Sequence, residues 1–227
     1  MGAWNGRSAF GRQQERQLTA TSGRYESTDL SHMRKEAAAC RRCSLWRNAT
    51  QTVFGEGPVP ARMMLVGEQP GDKEDLAGHP FVGPAGVILD EALAAAGIDR
   101  AKVYVTNAVK HFKNEPRGKR RLHKKPNAGE IEACRWWLDQ ELKLVRPRLT
   151  IALGATAAQA LMRRPVTIGR LRGKAIETES GALWITVHPS FLLRLPDETS
   201  RRHEFMRFVK DLEGARAWVA ARGKPSA

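Results

Sequence analysis

Cys40-x-x-Cys43 and Cys134 supply soft thiol ligands of the kind that hold a metal. A fourth ligand has to come from elsewhere, and His111 lies between the cysteine pair and Cys134 in sequence. Cys₃His suits zinc on chemistry alone, and a lone C-x-x-C is sometimes redox-active, so the spacing leaves the metal open. Gly67-Glu68-Gln69-Pro70-Gly71-Asp72-Lys73-Glu74-Asp75 is an acidic loop that lacks the glycine and lysine spacing of a P-loop or a dinucleotide fingerprint. Its carboxylates would repel phosphate and suit a developing cation or a neutral base, although taken alone it reads first as a solvated turn. Asn107 offers a donor beside an acceptor, able to pair with a base edge such as O4 and N3–H of uracil and to penalise cytosine. The plainer role is an Asn capping a strand end. Gly78 to Gly86 sets Phe81 among glycines and prolines, a rigid mount on which a flipped base can stack, or simply a core ring. His188, ahead of Pro189-Ser190-Phe191-Leu192-Leu193-Arg194, can stabilise negative charge on a departing base, with Leu192 or Leu193 as a wedge. A structural histidine is the alternative. Lys110 to Lys125 contains eight basic residues and one acid, with His123 just after Lys119-Arg120-Arg121-Leu122. Most such runs are solvated loops that touch phosphate without specificity.

These residues need a scaffold, and the hydrophobic pattern supplies one. Met63 to Val66 is a short apolar run ending at Gly67, as expected of a buried parallel strand followed by a functional loop. Leu89, Ala92, Leu93 and Ala96 repeat at helical spacing, and Gly97 stops that helix. Val103 to Thr106 reads as a second strand. Ile131, Cys134, Leu138, Leu142 and Val145 mark the inner face of a helix that ends before Pro147, and Leu149 to Leu153 reads as a third strand, with a helix from Gly154 through Met162. Ala175-Ile176 and Leu183 to Val187 flank a turn at Ser180-Gly181, and Phe205, Phe208, Val209, Leu212 and Val219 give a last amphipathic helix. The alternation predicts an α/β fold, a three-layer α/β/α sandwich around a mostly parallel central sheet. In such sheets ligands sit outside the carboxyl ends of the strands. Glu68 to Asp75, Asn107 to His123 and His188 to Arg194 all fall at those ends, so they are expected to form one site.

The chain has 227 residues, 41% hydrophobic and 7% aromatic, which suits one α/β domain with tails. Residues 1–28 are polar with no hydrophobic period and read as a flexible tail, leaving 29–227 as a single domain; Ser31-His32-Met33 is also compatible with a cloning scar. No apolar run reaches the roughly 18 residues of a membrane span, no signal peptide is expected, and three cysteines suit a reducing cytoplasm better than a disulfide framework. With 38 basic against 24 acidic residues the formal charge is +14, which points to a polyanion such as nucleic acid or merely to a basic surface.

Gly67 to Gly71, Gly83-Pro84-Ala85-Gly86, Val105 to Lys110, Cys134 and His188-Pro189-Ser190, taken together, resemble the iron–sulfur uracil-DNA glycosylases of families 4 and 5. Gly67-Glu68-Gln69-Pro70-Gly71 and the Lys119-Arg120-Arg121-Leu122-His123 insert are most similar to the UdgX-type branch, which becomes covalently attached to uracil-containing DNA; there the insert reads Lys-Arg-Arg-Ile-His. The resemblance spans roughly Cys40 to Leu212. It implies a 4Fe–4S cluster on Cys40, Cys43, His111 and Cys134, with His111 where family 4 has cysteine. It implies that Phe81 stacks on uracil, Asn107 reads its edge, Gln69 and Asp72 line the pocket, and His188 bonds near O2. Glu68 is expected to assist attack, His123 to bond to the deoxyribose C1′, and Lys119, Arg120, Arg121, Ser190 and Arg194 to meet DNA. Leu122 in place of isoleucine and Phe191 in place of a small residue or leucine depart from the pattern. The implied partner is uracil-containing DNA, single strands preferred, for a monomeric bacterial protein acting at the nucleoid. Two competing readings are an ordinary turnover glycosylase and a non-catalytic, metal-stabilised nucleic-acid-binding module.

Overall fold

A computed structural model describes residues 30–178 and 181–222 of the chain. In chain order its elements are α1 (Leu30–Ala38), β1 (Met63–Gly67), α2 (Asp72–Ala77), α3 (Pro84–Ala95), β2 (Val103–Asn107), β3 (Asn114–Arg117) and β4 (Arg120–His123). They continue with α4 (Ala128–Val145), β5 (Leu149–Leu153), α5 (Ala155–Met162), α6 (Ile168–Leu171), β6 (Ala175–Thr178), β7 (Gly181–Thr186) and α7 (Glu198–Ala221). Short 3₁₀ turns cover Ser44–Arg47, Arg100–Lys102 and Pro189–Arg194.

The main sheet runs β2-β1-β5-β7-β6, parallel except for the β6–β7 pair. Every residue of β2 and β5 is buried, as strands covered on both faces must be. Alternation along β1 sends Met64 and Val66 to one face and Leu65 to the other. Met64 and Val66 pack with Leu138 and Val145 of α4 and Ala157 of α5, whereas Leu65 packs with Leu89 and Leu93 of α3 and Phe208 and Leu212 of α7. These two cores on one sheet make the expected three-layer α/β/α sandwich.

From β1 the chain steps outward to β2, and from β5 it proceeds the other way. The carboxyl ends of β1 and β5 therefore open side by side at the point where the strand order reverses, the position at which open α/β sheets bind ligands.

Some expectations need correcting. Asn114 to His123 is a β-hairpin on its own two-stranded sheet, with Asn114 opposite His123 and Gly118 at the turn with φ +59°, where the sequence suggested only a basic loop. The Ser31–Met33 stretch belongs to α1, and Met33 is a core residue. Proline opens α3 at Pro84, a turn earlier than the periodicity indicated, because its fixed φ suits the first helical position. The expected tail at residues 1–28 and Ser180 of the expected turn lie outside the described residues.

Candidate active site

Beyond the carboxyl ends of β1, β2, β5 and β7 lies a cleft of about 1410 Å³, lined by Glu68, Gln69, Asp72, Phe81, Asn107, His123, Thr156, His188, Ser190 and Arg194 among others. Pockets for drug-sized ligands measure roughly 300–1,000 Å³, so this cleft has room for a base together with its sugar and phosphates. The three polar segments expected at the strand ends do converge.

Asn107, the last residue of β2, is 2% exposed, and its Oδ1 is buried without a hydrogen-bond partner among the described residues. A buried amide oxygen left in this state costs on the order of 1–3 kcal/mol unless a ligand donates to it. Phe81 closes in beside it. A Cβ on Gly67 would lie 2.3 Å from Asn107 Oδ1 and 2.5 Å from Phe81 Cζ, so only glycine lets both side chains crowd the end of β1. Phe81 itself holds φ at +58°, an uncommon conformation for a non-glycine residue. Gly86 packs so tightly under its carbonyl that a Cβ there would overlap it. The mount is braced from the acidic loop as well. The buried Glu74 accepts from the backbone N–H of Gly71 at 3.1 Å and of Gly83 at 2.7 Å, tying the two loops together.

His188 stacks at 6.0 Å between centroids from Phe81, with 30° between the planes. The Ser190 backbone N–H points at His188 Nδ1 (3.2 Å), and the Ser190 hydroxyl lies 2.8 Å from the same nitrogen. Nδ1 is thus an acceptor, which leaves the proton of the neutral ring on Nε2. Desolvation, followed by the charges of Arg194 and His123, pulls the imidazole down to about 4, so the ring is neutral at physiological pH. Ser190 and Arg194, expected on DNA, also bond to each other within the protein, where Arg194 Nη1 donates to the Ser190 hydroxyl at 3.0 Å. In the following turn Leu192 is buried, while Phe191 and Leu193 are exposed. Of the two leucines expected as a wedge, Leu193 is the exposed one and Leu192 is held in the core.

His123 ends β4 with its side chain half exposed. Its Nε2 lies 2.9 Å from Gln69 Nε2 and 3.6 Å from Glu68 Oε1. Gln69 Oε1 accepts from the Lys113 N–H at 3.1 Å and Gln69 Nε2 donates to the Lys124 carbonyl at 3.0 Å, which fixes the orientation of the amide. The amide therefore donates to His123, whose Nε2 presents its lone pair. Gln69 lines the cleft, but its hydrogen bonds also fasten both ends of the hairpin. Arg121, expected on phosphate, is engaged inside the protein: Nε reaches Asp72 at 2.7 Å and Nη1 reaches the fully buried Asp75 at 2.5 Å. Asp72, expected on uracil, thus serves the hairpin. Lys119 and Arg120 stand exposed at its tip.

Lys110 also departs from the solvated run in which the sequence placed it. Its ammonium is buried, 2.5 Å from Glu141 Oε2, and donates to Thr106 Oγ1 and the Asn107 carbonyl at 2.7 Å each. A charge buried this way is tolerable only when paired and fully hydrogen-bonded.

The proposed metal ligands lie at the other end of this network. The Lys110 N–H donates to Cys134 Sγ at 3.1 Å, and Trp137 Nε1 donates to Cys40 Sγ at 3.3 Å. Burial pushes the Cys134 thiol up to about 12 against the nearby Lys110 charge, with Cys43 and Cys40 close enough to add to the rise. Burial, then the Arg41 charge, holds His111 down to about 4, in the neutral form that ligates metals. Among the described residues no three His, Cys, Asp or Glu side chains converge as they would on a single ion. Three thiols close enough to interact, two of them accepting N–H donors, and a neutral imidazole are a donor set whose chemistry suits an iron–sulfur cluster.

No helix among the described residues is long and apolar enough to cross a membrane. Residues 54–213 match the family model described as "Uracil DNA glycosylase superfamily". The chain is 38% identical over 187 residues to a Type-4 uracil-DNA glycosylase of Pyrobaculum aerophilum, covering 79% of this chain and 90% of that protein. It is likewise 38% identical over 187 residues to a Type-4 uracil-DNA glycosylase of Thermotoga maritima, covering 81% and 91%. A Type-5 uracil-DNA glycosylase of Pyrobaculum aerophilum is more distant, 28% identical over 178 residues, covering 71% and 75%. A match over most of the domain, on a sheet whose strand ends bring Asn107, Phe81 and His188 into one cleft, settles the family: this chain belongs to the uracil DNA glycosylase superfamily.

Proposed function

We propose that the protein excises uracil from DNA, single strands most readily, and stays covalently attached to the deoxyribose through His123. The observation that carries this reading is the place of His123, an imidazole in the wall of the same cleft as Asn107 and His188, its ring held by the Gln69 amide at Nε2. Uracil stacks on Phe81, gives its N3–H to Asn107 Oδ1 and places O2 by His188 Nε2–H. The C1′–N1 bond breaks with its electron pair leaving on uracil, as in other glycosidic cleavages through an oxocarbenium-like state. His188 stabilises that charge as an oxyanion hole would. The His123 Nε2 lone pair then forms the new bond to C1′, the imidazolium loses its Nδ1 proton to solvent, and uracil takes up a proton. Glu68 faces the cationic sugar. Single strands avoid the cost of unpairing.

A denaturing gel of the protein mixed with uracil-containing single-stranded DNA is expected to show a band of the combined mass. Free uracil without the band would establish ordinary turnover, and neither product would leave only a binding module.

Cys40, Cys43, Cys134 and His111 would hold a 4Fe–4S cluster, which supplies a rigid iron–sulfide cross-link between the segment after α1 and helix α4. The protein is expected to be brown, with broad absorbance near ~400 nm from iron–sulfide charge transfer. Colourless, fully active protein carrying stoichiometric zinc would overturn the cluster.

Lys119 and Arg120 meet phosphate at the exposed tip of the hairpin. Replacing both is expected to lower the salt slope of initial binding to single strands by about 0.7 for each phosphate no longer neutralised. An unchanged slope would place the DNA track elsewhere.

A further inference from the structure

Glu68 extends from the end of β1, and its carboxylate is gripped by a residue that no strand-end motif includes. Thr156, 2% exposed in the first turn of α5, donates its hydroxyl to Glu68 Oε2 at 2.5 Å. The other oxygen, Oε1, is the one that lies 3.6 Å from His123 Nε2. Thr156 and Glu68 are 88 residues apart, and they meet because β1 and β5 are neighbours whose carboxyl ends open together. The first turn of α5 adds the positive end of its helix dipole beside the carboxylate.

From this geometry we infer that Thr156 is a positioning residue for the glycosidic reaction: it fixes the rotation of the Glu68 carboxylate so that Oε1 faces the reacting C1′ and His123. The inference rests on the role given to Glu68 above. A carboxylate with both oxygens unrestrained samples rotamers that turn its charge away from the sugar. Orienting it in advance removes that reorganisation from the barrier. The threonine methyl plays no part in this, so serine suffices and valine, which keeps the shape but not the donor, does not.

The test measures uracil release in single turnover, a step common to the trapping and turnover readings, together with DNA affinity and the melting temperature. Thr156→Val is expected to slow release by about tenfold, the scale of one charge-assisted hydrogen bond, with DNA affinity unchanged. Thr156→Ser is expected to restore the rate. In a Glu68→Gln background, Thr156→Val is expected to cause no further slowing, because its effect travels through the carboxylate. An equal tenfold loss in that background would mean a structural role, and an unaltered rate for Thr156→Val alone would also overturn the inference. If Glu68→Gln itself reacts like the unmodified protein, the role of Glu68 fails and the inference fails with it. A missing covalent band with normal uracil release would sink only the trap.

Discussion

His123→Ser and His123→Gly are expected to abolish the denaturation-resistant complex and to convert the protein into one that releases uracil with turnover. A neutral imidazole is a good nucleophile. Held at the sugar, it has the advantage of an intramolecular attack over water. The Gln69 amide occupies the lone pair in the free protein at 2.9 Å, so the entering sugar has to displace that hydrogen bond before attack. Once made, the N-glycosidic bond has a poor leaving group, and the adduct persists. Shortening the side chain opens space at a half-exposed position where water can reach C1′. Asn107, Phe81 and His188 are untouched and still activate the bond. Retention of the complex by these variants would assign the nucleophile to another residue. Loss of both complex and uracil release would make His123 necessary for bond breaking itself.

Asn107→Ala is expected to weaken recognition by about 1–3 kcal/mol, the worth of one good pairing to a base edge, and so to slow uracil release by one to two orders of magnitude. Its sign on stability is the more discriminating part. Asn107 Oδ1 is buried without a partner among the described residues, a cost to the free protein that a donor on the bound base returns. Removing the amide therefore trades function for relief, and the melting temperature is not expected to fall. The two measurements are the single-turnover rate and a thermal melt of the same sample. Full activity would refute the edge-reading role, and a large fall in melting temperature would show that the amide holds the fold together.

Strands β1, β2 and β5 were legible because each is an apolar run bounded by loop residues, and the helices because their inner faces repeat at helical spacing. The site was legible to the extent that it sits at strand ends. What escaped was whatever depends on partners far along the chain. Asn114 to His123 carries charge without alternation and reads as a loop. It is a hairpin because Arg121 finds Asp72 and Asp75, and Gln69 finds the Lys113 and Lys124 backbone. Lys110 looked like one more solvated cation until Glu141, 31 residues later, turned out to face it in the core. Thr156 carries no motif at all, and Glu74 is one acid of a loop whose sequence does not say that it braces Gly83, so only the adjacency of strand ends and loops reveals their partners. Leu192 and Leu193 are equivalent in sequence and differ only in which way the short turn aims them.

The Lys124 backbone N–H donates to the Lys113 carbonyl at 3.0 Å, so the chain leaves the body of the protein and returns to it at a single doorway. The strands of the main sheet all lie outside this span, and β3 and β4 pair only with each other, so the register of the main sheet is set without the hairpin. On the proposed reading, the nucleophile that separates a repair enzyme that holds on from one that lets go sits on this appendage. That makes the hairpin a portable part: grafted at the same doorway of a related glycosylase, together with the acidic residues that grip Arg121, it carries its own nucleophile with it.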